Sequence, residues 1–409
     1  MPFHLSKTIG YAISLIYLVI KTYQYLIVEK YINGNLKTIM EKNESLRKLL
    51  ALTFIPGVGP KLSKNLISYC GGVEGVFNAN RAKLEKVPGI GEVLADTILL
   101  HDTFEQADKE LEFIEKNDIR VLAHYEVDYP QRFRKCVDSP LLLFTKGAMS
   151  VNIPKIIGMV GTRKATAYGK DVCMKLITDL ASRGVTVVSG MAYGIDICAH
   201  NAALKNNLQT IGVLAHGLDR LYPSAHKPSA VKMLANGGLI SEYPSGTNPD
   251  RENFVQRNRI IAGMSDAVIV VESGEKGGAL FTAAFASNYN HDVFAIPGRA
   301  NDPMSRGCNR LIKTNIAALL ETADDLCESM GWNDEVRPNK SSQPKIPFVD
   351  LTDNEKIIYD FINESADGLD IDALTIKSNI PGRKVVGILL QMEFAGIVKS
   401  LPGKIYQIV

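Results

Sequence analysis

Residues 156–196 read Ile156-Ile157-Gly158-Met159-Val160-Gly161-Thr162-Arg163-Lys164, then a helix-like stretch from Ala167 to Arg183, then Val185-Thr186-Val187-Val188-Ser189-Gly190-Met191-Ala192-Tyr193-Gly194-Ile195-Asp196. Two short, almost wholly apolar runs flank a helical segment, and each run ends in a glycine turn. That pattern predicts a β-α-β unit of a parallel sheet buried on both faces. It continues outward: strand-like runs follow at Thr210–Leu214, Gly238–Ser241, Ala267–Val271 and Asp292–Ile296, separated by helical stretches at Ile195–Lys205, Lys227–Ala235, Arg257–Met264 and Gly278–Tyr289. The alternation predicts an α/β, Rossmann-like domain whose ligands bind beyond the carboxyl ends of the strands.

The turns at those ends carry the chemistry. Gly161-Thr162-Arg163 follows the first strand and Gly190 and Gly194 follow the second, where Asp196 is expected to cap the next helix. Lys276-Gly277-Gly278 follows the fifth. The segment Arg251-Glu252-Asn253-Phe254-Val255-Gln256-Arg257-Asn258-Arg259 sets an aromatic ring among three guanidinium groups and three side-chain amides. Rings stack on bases, and guanidinium forks grip phosphates. A single glycine turn is ordinary βα geometry; several at one sheet edge, with Arg163, Arg251, Arg257, Arg259 and Lys276, point to an anion site. No G-x-x-x-x-G-K-[ST] or G-x-G-x-x-G follows the first strand, which argues against a P-loop ATPase and a standard dinucleotide site. His200 and His216 have no nucleophile or paired carboxylate in a suitable context, so structural roles are expected for both.

Composition constrains the rest. The 409 residues are 46% hydrophobic, enough for several cored domains, and the net charge is only +2, so contact with phosphates must come from a local cluster. Six scattered cysteines, none in a C-x-x-C pair, read as reduced core residues of a cytoplasmic protein, and seven histidines show no ligand spacing, so neither metal nor cofactor is expected. The first 39 residues hold an uncharged apolar run from Ile9 to Ile20, short for a membrane span. Ordered protein is expected to begin near Met40, without stable membrane association.

Residues 40–125 contain two similar turns, Ile55-Pro56-Gly57-Val58-Gly59-Pro60 and Val87-Pro88-Gly89-Ile90-Gly91-Glu92, each between helix-like runs. They predict a paired helix-hairpin-helix (SAM-like) domain, and the turns leave phosphate docking and plain helix packing both open. Residues 126–330 are assigned to the Rossmann-like domain, 331–350 to a Pro/Ser/Asn/Lys-rich linker, and 351–409 to a winged helix. In the last, Thr352-Asp353-Asn354-Glu355 reads as a capping box and Pro402-Gly403 as a hairpin turn. The run Val385–Leu390 in its third helix reads as core-facing, with few base-reading side chains.

The motifs Gly161-Thr162-Arg163, Gly194-Ile195-Asp196 with Ala199-His200, Gly217-Leu218-Asp219 with Tyr222-Pro223, Ser241-Glu242-Tyr243-Pro244, Phe254 with Arg257–Gly263, and Ile296-Pro297-Gly298 resemble those of the DNA-processing protein DprA (Smf) family. The resemblance covers residues from about Leu46 onward. It implies a non-enzymatic, homodimeric binder of single-stranded DNA, without sequence preference, that loads the RecA recombinase in natural transformation. It also implies a DNA pocket using Arg163, the backbone at Gly190 and Gly194, Arg251, stacking by Phe254, and Arg257–Arg259. Lys276-Gly277-Gly278 stands where the family more usually has Ser-Gly-Ser. Replacing Phe254 or Arg257 is expected to weaken strand binding with the fold intact. The competing expectation is a nucleotide-processing enzyme of the phosphoribohydrolase kind, whose P-G-G-x-G-T-x-x-E signature lacks its acid after Gly277-Gly278.

Overall fold

The computed structural model describes residues 43–332, 351–365, 368–395, 397–401 and 405–408. They fall into two compact units that divide near residue 333. The expectations for residues 1–39 and for most of the linker lie outside the described residues. Among the described residues, no helix is long and apolar enough to cross a membrane.

The first unit opens with six helices: α1 (43–54), α2 (Pro60–Cys70), α3 (Val73–Phe77), α4 (Arg81–Leu84), α5 (Glu92–Leu99) and α6 (Phe104–Lys116). The two hairpin turns precede α2 and α5, and they interlock. A Cβ on Gly57 would stand 3.2 Å from Leu94 Cδ1, and one on Gly89 would stand 2.8 Å from Leu62 Cδ2. Each hairpin thus offers a bare backbone to a leucine of the other hairpin's helix, a close approach that a side chain at either position would obstruct. Leu49, Leu50, Leu66, Leu84 and Ile98 form the core of this region, which continues onto Leu142 and Phe144 of the neighbouring sheet.

That sheet has nine strands: β1 (Arg120–Ala123), β2 (Leu142–Lys146), β3 (Ile156–Val160), β4 (Thr186–Ser189), β5 (Thr210–Val213), β6 (Gly237–Ser241), β7 (Ala267–Val270), β8 (Asp292–Ala295) and β9 (Ala318–Leu319). Their spatial order is β1-β2-β6-β5-β4-β3-β7-β8-β9. From β6 to β9 every pairing is parallel, as predicted, whereas β2 joins β6 and β1 joins β2 antiparallel. The two antiparallel strands were not expected. β1 also carries the sheet into the segment assigned above to the helical domain.

Eight helices accompany the sheet: α7 (Gln131–Arg134), α8 (Ala167–Asp179), α9 (Ile195–Lys205), α10 (Lys227–Met233), α11 (Arg251–Met264), α12 (Ala279–Asn288), α13 (Arg306–Lys313) and α14 (Ala323–Ser329). The alternation along β3 shows why that strand is apolar throughout. Ile156 and Val160 pack in the core that holds Ile260, Ile261 and Ala283 of α11 and α12, while Ile157 and Met159 pack in the core that holds Cys173, Leu176 and Ala199 of α8 and α9. Full burial of each such side chain contributes about 1.5–3 kcal/mol. β3 is flanked by β4 and β7, so the chain winds one way from β3 through α8 and the other way from β7 through α12. That reversal opens a crevice at the carboxyl ends of β3 and β7.

The second unit comprises α15 (Asp353–Asn363), β10 (Leu369–Asp370), α16 (Ile371–Ser378), α17 (Gly382–Phe394), β11 (Val398–Leu401) and β12 (Ile405–Ile408). Three helices and a small sheet ordered β10-β12-β11 make the winged helix. The Thr352 N–H donates to the Glu355 carboxylate at 2.8 Å, closing the start of α15. Ile358, Leu374, Val385 and Leu389 form its core. One expectation fails here: α17 does not bury its whole apolar run, since Val386 and Leu390, with Phe394 beyond them, are exposed. A helix can turn only part of its circumference to a core, and that apolar run extends past the buried arc.

Candidate nucleic-acid interface

The turn after β3 is fixed on both sides. The Thr162 N–H donates to the Glu272 carbonyl at 2.7 Å, and the Thr162 carbonyl accepts from the Ile195 N–H at 3.2 Å. Gly194, at φ +82° and ψ −121°, supplies the backbone state that lets α9 start there. A Cβ on it would lie 2.1 Å from the Thr162 carbonyl oxygen. Next in the chain, the exposed Arg163 places its guanidinium 5.1 Å from the centre of the Phe254 ring.

Phe254 stands on α11 itself. The helix begins at Arg251, six residues before the sequence-based start at Arg257. Its first turns are polar, so the apolar periodicity used to predict it appears only from Ile260 onward. Because α11 runs under the crevice, Arg251, Phe254, Arg257 and Asn258 present themselves together with Gly161, Thr162, Arg163, Lys276 and Gly277 around a cavity of about 520 Å³. Asn258 Nδ2 donates to the Gly278 carbonyl at 3.4 Å, linking α11 to the turn after β7.

Two of the sequence-selected arginines are turned inward. Arg257 lines the cavity but is buried, and its guanidinium donates to the carbonyls of Gly190, at 2.5 Å, and Val213. Gly190 is therefore the seat of Arg257, since a Cβ there would stand 2.2 Å from Arg257 Nη1. Burial lowers the Arg257 pKa to about 10 against the opposing pull of Asp196, so the side chain remains a cation at neutral pH. Removing it would orphan two carbonyls, which overturns the expectation that Arg257 can be replaced with the fold intact. Arg259 lies outside the cavity lining. It pairs with the largely buried Glu242 and donates to the Asp138 carbonyl at 2.8 Å, because residues two apart on a helix point to different sides.

Asp196 does not cap α9, whose cap position is Gly194. Its buried carboxylate accepts from the Ala192 N–H at 3.3 Å, and burial raises its pKa while Arg257 opposes the rise. The two histidines serve the fold. Thr210 Oγ1 donates to the Val187 carbonyl and so accepts from His200 Nδ1 at 2.7 Å, and burial lowers the His200 pKa to about 3. His216 Nδ1 donates to the Gly217 carbonyl, while its Nε2 accepts from the Tyr222 N–H at 3.2 Å. The Glu272 carboxylate is equally committed: it is buried and accepts from the Thr166 N–H at 2.9 Å and Oγ1 at 2.7 Å, at the positive end of α8.

Sequence reasoning missed Phe281. It is 52% exposed in the first turn of α12 and lines the same cavity as Phe254. The signal was available: an aromatic three residues past Gly278 at the mouth of the Gly-rich turn. Tyr222, 48% exposed, adds a third ring 5.9 Å from Phe254.

A cavity at a sheet's topological switch, rimmed by Arg163, Arg251 and Lys276 with the rings of Phe254 and Phe281 in its lining, marks a Rossmann-type fold that offers cations and aromatic faces at one mouth. Residues 120–331, more than half of the chain, match the family model described as DNA recombination-mediator protein A, and residues 49–101 match a SAM-like helix-hairpin-helix tandem. The putative DNA processing protein DprA of Mycobacterium tuberculosis is 33% identical over 328 residues, covering 77% of this chain and 84% of that one. Protein Smf of Synechocystis is 32% identical over 395 residues, covering 88% and 97%. The X-ray structure of DprA from Streptococcus pneumoniae superposes with a TM-score of 0.58 at 30% identity, over 70% of this chain and 95% of that one. The chain belongs to the DNA recombination-mediator protein A family, DprA or Smf.

Proposed function

We propose that this protein binds single-stranded DNA in the cavity between β3, β7 and α11, without reading sequence. The observation that carries the proposal is the Arg163 guanidinium over the partly buried Phe254 ring, with Phe281 and Lys276 in the same lining. Phosphates would meet Arg163, Arg251 and Lys276, and bases would stack on Phe254 and Phe281. Each stacked base contributes roughly 1–3 kcal/mol, and every base has a face to stack, so affinity is sequence-tolerant. Arg257 holds the floor as a buried cation bonded to backbone carbonyls.

This is a binding module. The enzyme alternative would need an acid following Gly277-Gly278, whereas the turn leads into Ala279-Leu280-Phe281 and the upstream Glu272 is bound to Thr166. The finer reading, a cytoplasmic homodimer that protects incoming strands and loads RecA onto them in natural transformation, rests on family membership.

The test is fluorescence anisotropy of labelled single- and double-stranded oligonucleotides across a salt series, without ATP or metal. Tighter single-strand binding that weakens linearly in log salt supports the reading. Absent or duplex-equal binding, or nucleotide hydrolysis, refutes it.

A further inference from the structure

Beside the cleft, α8 and α9 enclose a second groove, of about 690 Å³. Its walls are Lys170, Met174 and Thr178 on α8 facing Ile197, Asn201 and Lys205 on α9. Each set is spaced by four residues, so each is a single helix stripe, and each stripe runs about 12 Å at 1.5 Å per residue. The two openings are contiguous: Arg163 lines both, and Ala192-Tyr193-Gly194 passes from one lining to the other.

The lining has a definite chemistry. Arg163, Lys164, Lys170 and Lys205 are all exposed, and no acidic residue contributes to it. Among the described residues none of the three lysine ammonium groups is taken up in an ion pair, unlike Lys175 on the outer face of α8, which pairs with Asp179. Met174, Ile197, Ala202 and the half-exposed ring of Tyr193 supply apolar surface between the cations. Cations beside apolar and aromatic surface suit a polyanion whose charges meet the rim and whose flat bases cover the wall. An acidic protein segment would satisfy the cations, but it would not explain the continuity with the cleft through Arg163.

We infer that a single strand held in the cleft continues past Arg163 into the groove between α8 and α9, which forms the second segment of one binding track. The inference rests on the strand-binding reading above and adds its direction and extent.

The test compares the full-length native chain with Lys170→Glu/Lys205→Glu, using oligothymidylates of about 6 and about 20 nucleotides, lengths near and beyond the ~4–16-nucleotide sites of strand binders. Both lysines are exposed, and matching thermal melts establish that the variant is folded. The expected result is at least a ten-fold loss of affinity for the longer strand, a log–log salt slope shallower by roughly 1.4 from two phosphate contacts at ~0.7 each, and unchanged affinity for the shorter strand. Unchanged binding of the longer strand would overturn the inference and leave the groove to a protein partner. Equal loss on both lengths would overturn it too, since the lysines would then serve the cleft itself. Binding of the short strand by the native chain, and its loss in Phe254→Ala, tests the underlying reading separately.

Discussion

The guanidinium of Arg163 lies 5.1 Å from the centroid of the Phe254 ring, joining the turn after β3 to the first turns of α11 across the mouth of the cavity. The stack holds a cation and a π face at the mouth of the proposed strand-binding cavity. Phe254→Ala should therefore lower single-strand affinity by about ten- to a hundred-fold with the melting temperature little changed, because the ring is only partly buried. Phe281→Ala should act in the same direction. Anisotropy titrations and thermal melts on the same preparations check both.

Arg257 should behave differently. Arg257→Met leaves the Gly190 and Val213 carbonyls without their donor and Asp196 without its neighbouring cation, at a cost of roughly 3 kcal/mol. Urea unfolding should show a lower midpoint with no change in slope. Arg251→Ala, at the exposed start of α11, should instead leave the midpoint alone and make the salt dependence of strand binding shallower by about 0.7.

Gly194→Ala tests the turn that positions Arg163. The new methyl would meet the Thr162 carbonyl at 2.1 Å from a backbone state rare for any other residue. Strand affinity and thermal stability should fall together, and a variant that melts normally would show that the turn tolerates rearrangement.

His200 predicts a pH dependence. Its folded-state pKa is depressed to about 3 from 6.5, so the unfolded chain takes up a proton that the folded chain refuses. The contribution is fully present above the unfolded pKa and is lost as pH falls below it, by roughly 2 kcal/mol between neutrality and about pH 5. His200→Leu should flatten that part of the stability–pH curve, as followed by urea unfolding at several pH values.

The parallel part of the sheet was legible because β3, β4, β5 and β7 are buried on both faces and so are predominantly apolar. β2 escaped notice: its run Leu142-Leu143-Phe144 is short, and no helical segment follows to announce a crossover. The cavity's composition was legible from glycine turns and cations, since a close backbone approach and a phosphate each require a particular residue type. Which arginine faces outward was not. Arg257 and Arg259 stand two apart in an apparently uniform basic cluster, and only tertiary partners, the carbonyls of Gly190 and Val213 for one and Glu242 for the other, turn both inward. Phe281 was not legible as a stacking face because the glycines before it signal phosphate contact, and its exposure at the cavity depends on how α12 is set against α11.

The carboxylate of Glu110, buried on α6, accepts from the Ser245 N–H at 3.0 Å and from Ser245 Oγ at 2.5 Å, and the short segment after Ser245 leads directly into α11. Lys64 adds a second brace, donating to the Val137 carbonyl and Ser139 Oγ at 2.9 Å each. The helical region is thus a buttress, whatever else its hairpins touch. A fragment trimmed to the sheet and its flanking helices would retain every residue lining the cavity, yet it would lose the anchor behind the wall that carries Phe254. The smallest unit that holds this cavity in shape is set by its mechanical support and extends beyond the residues that line it.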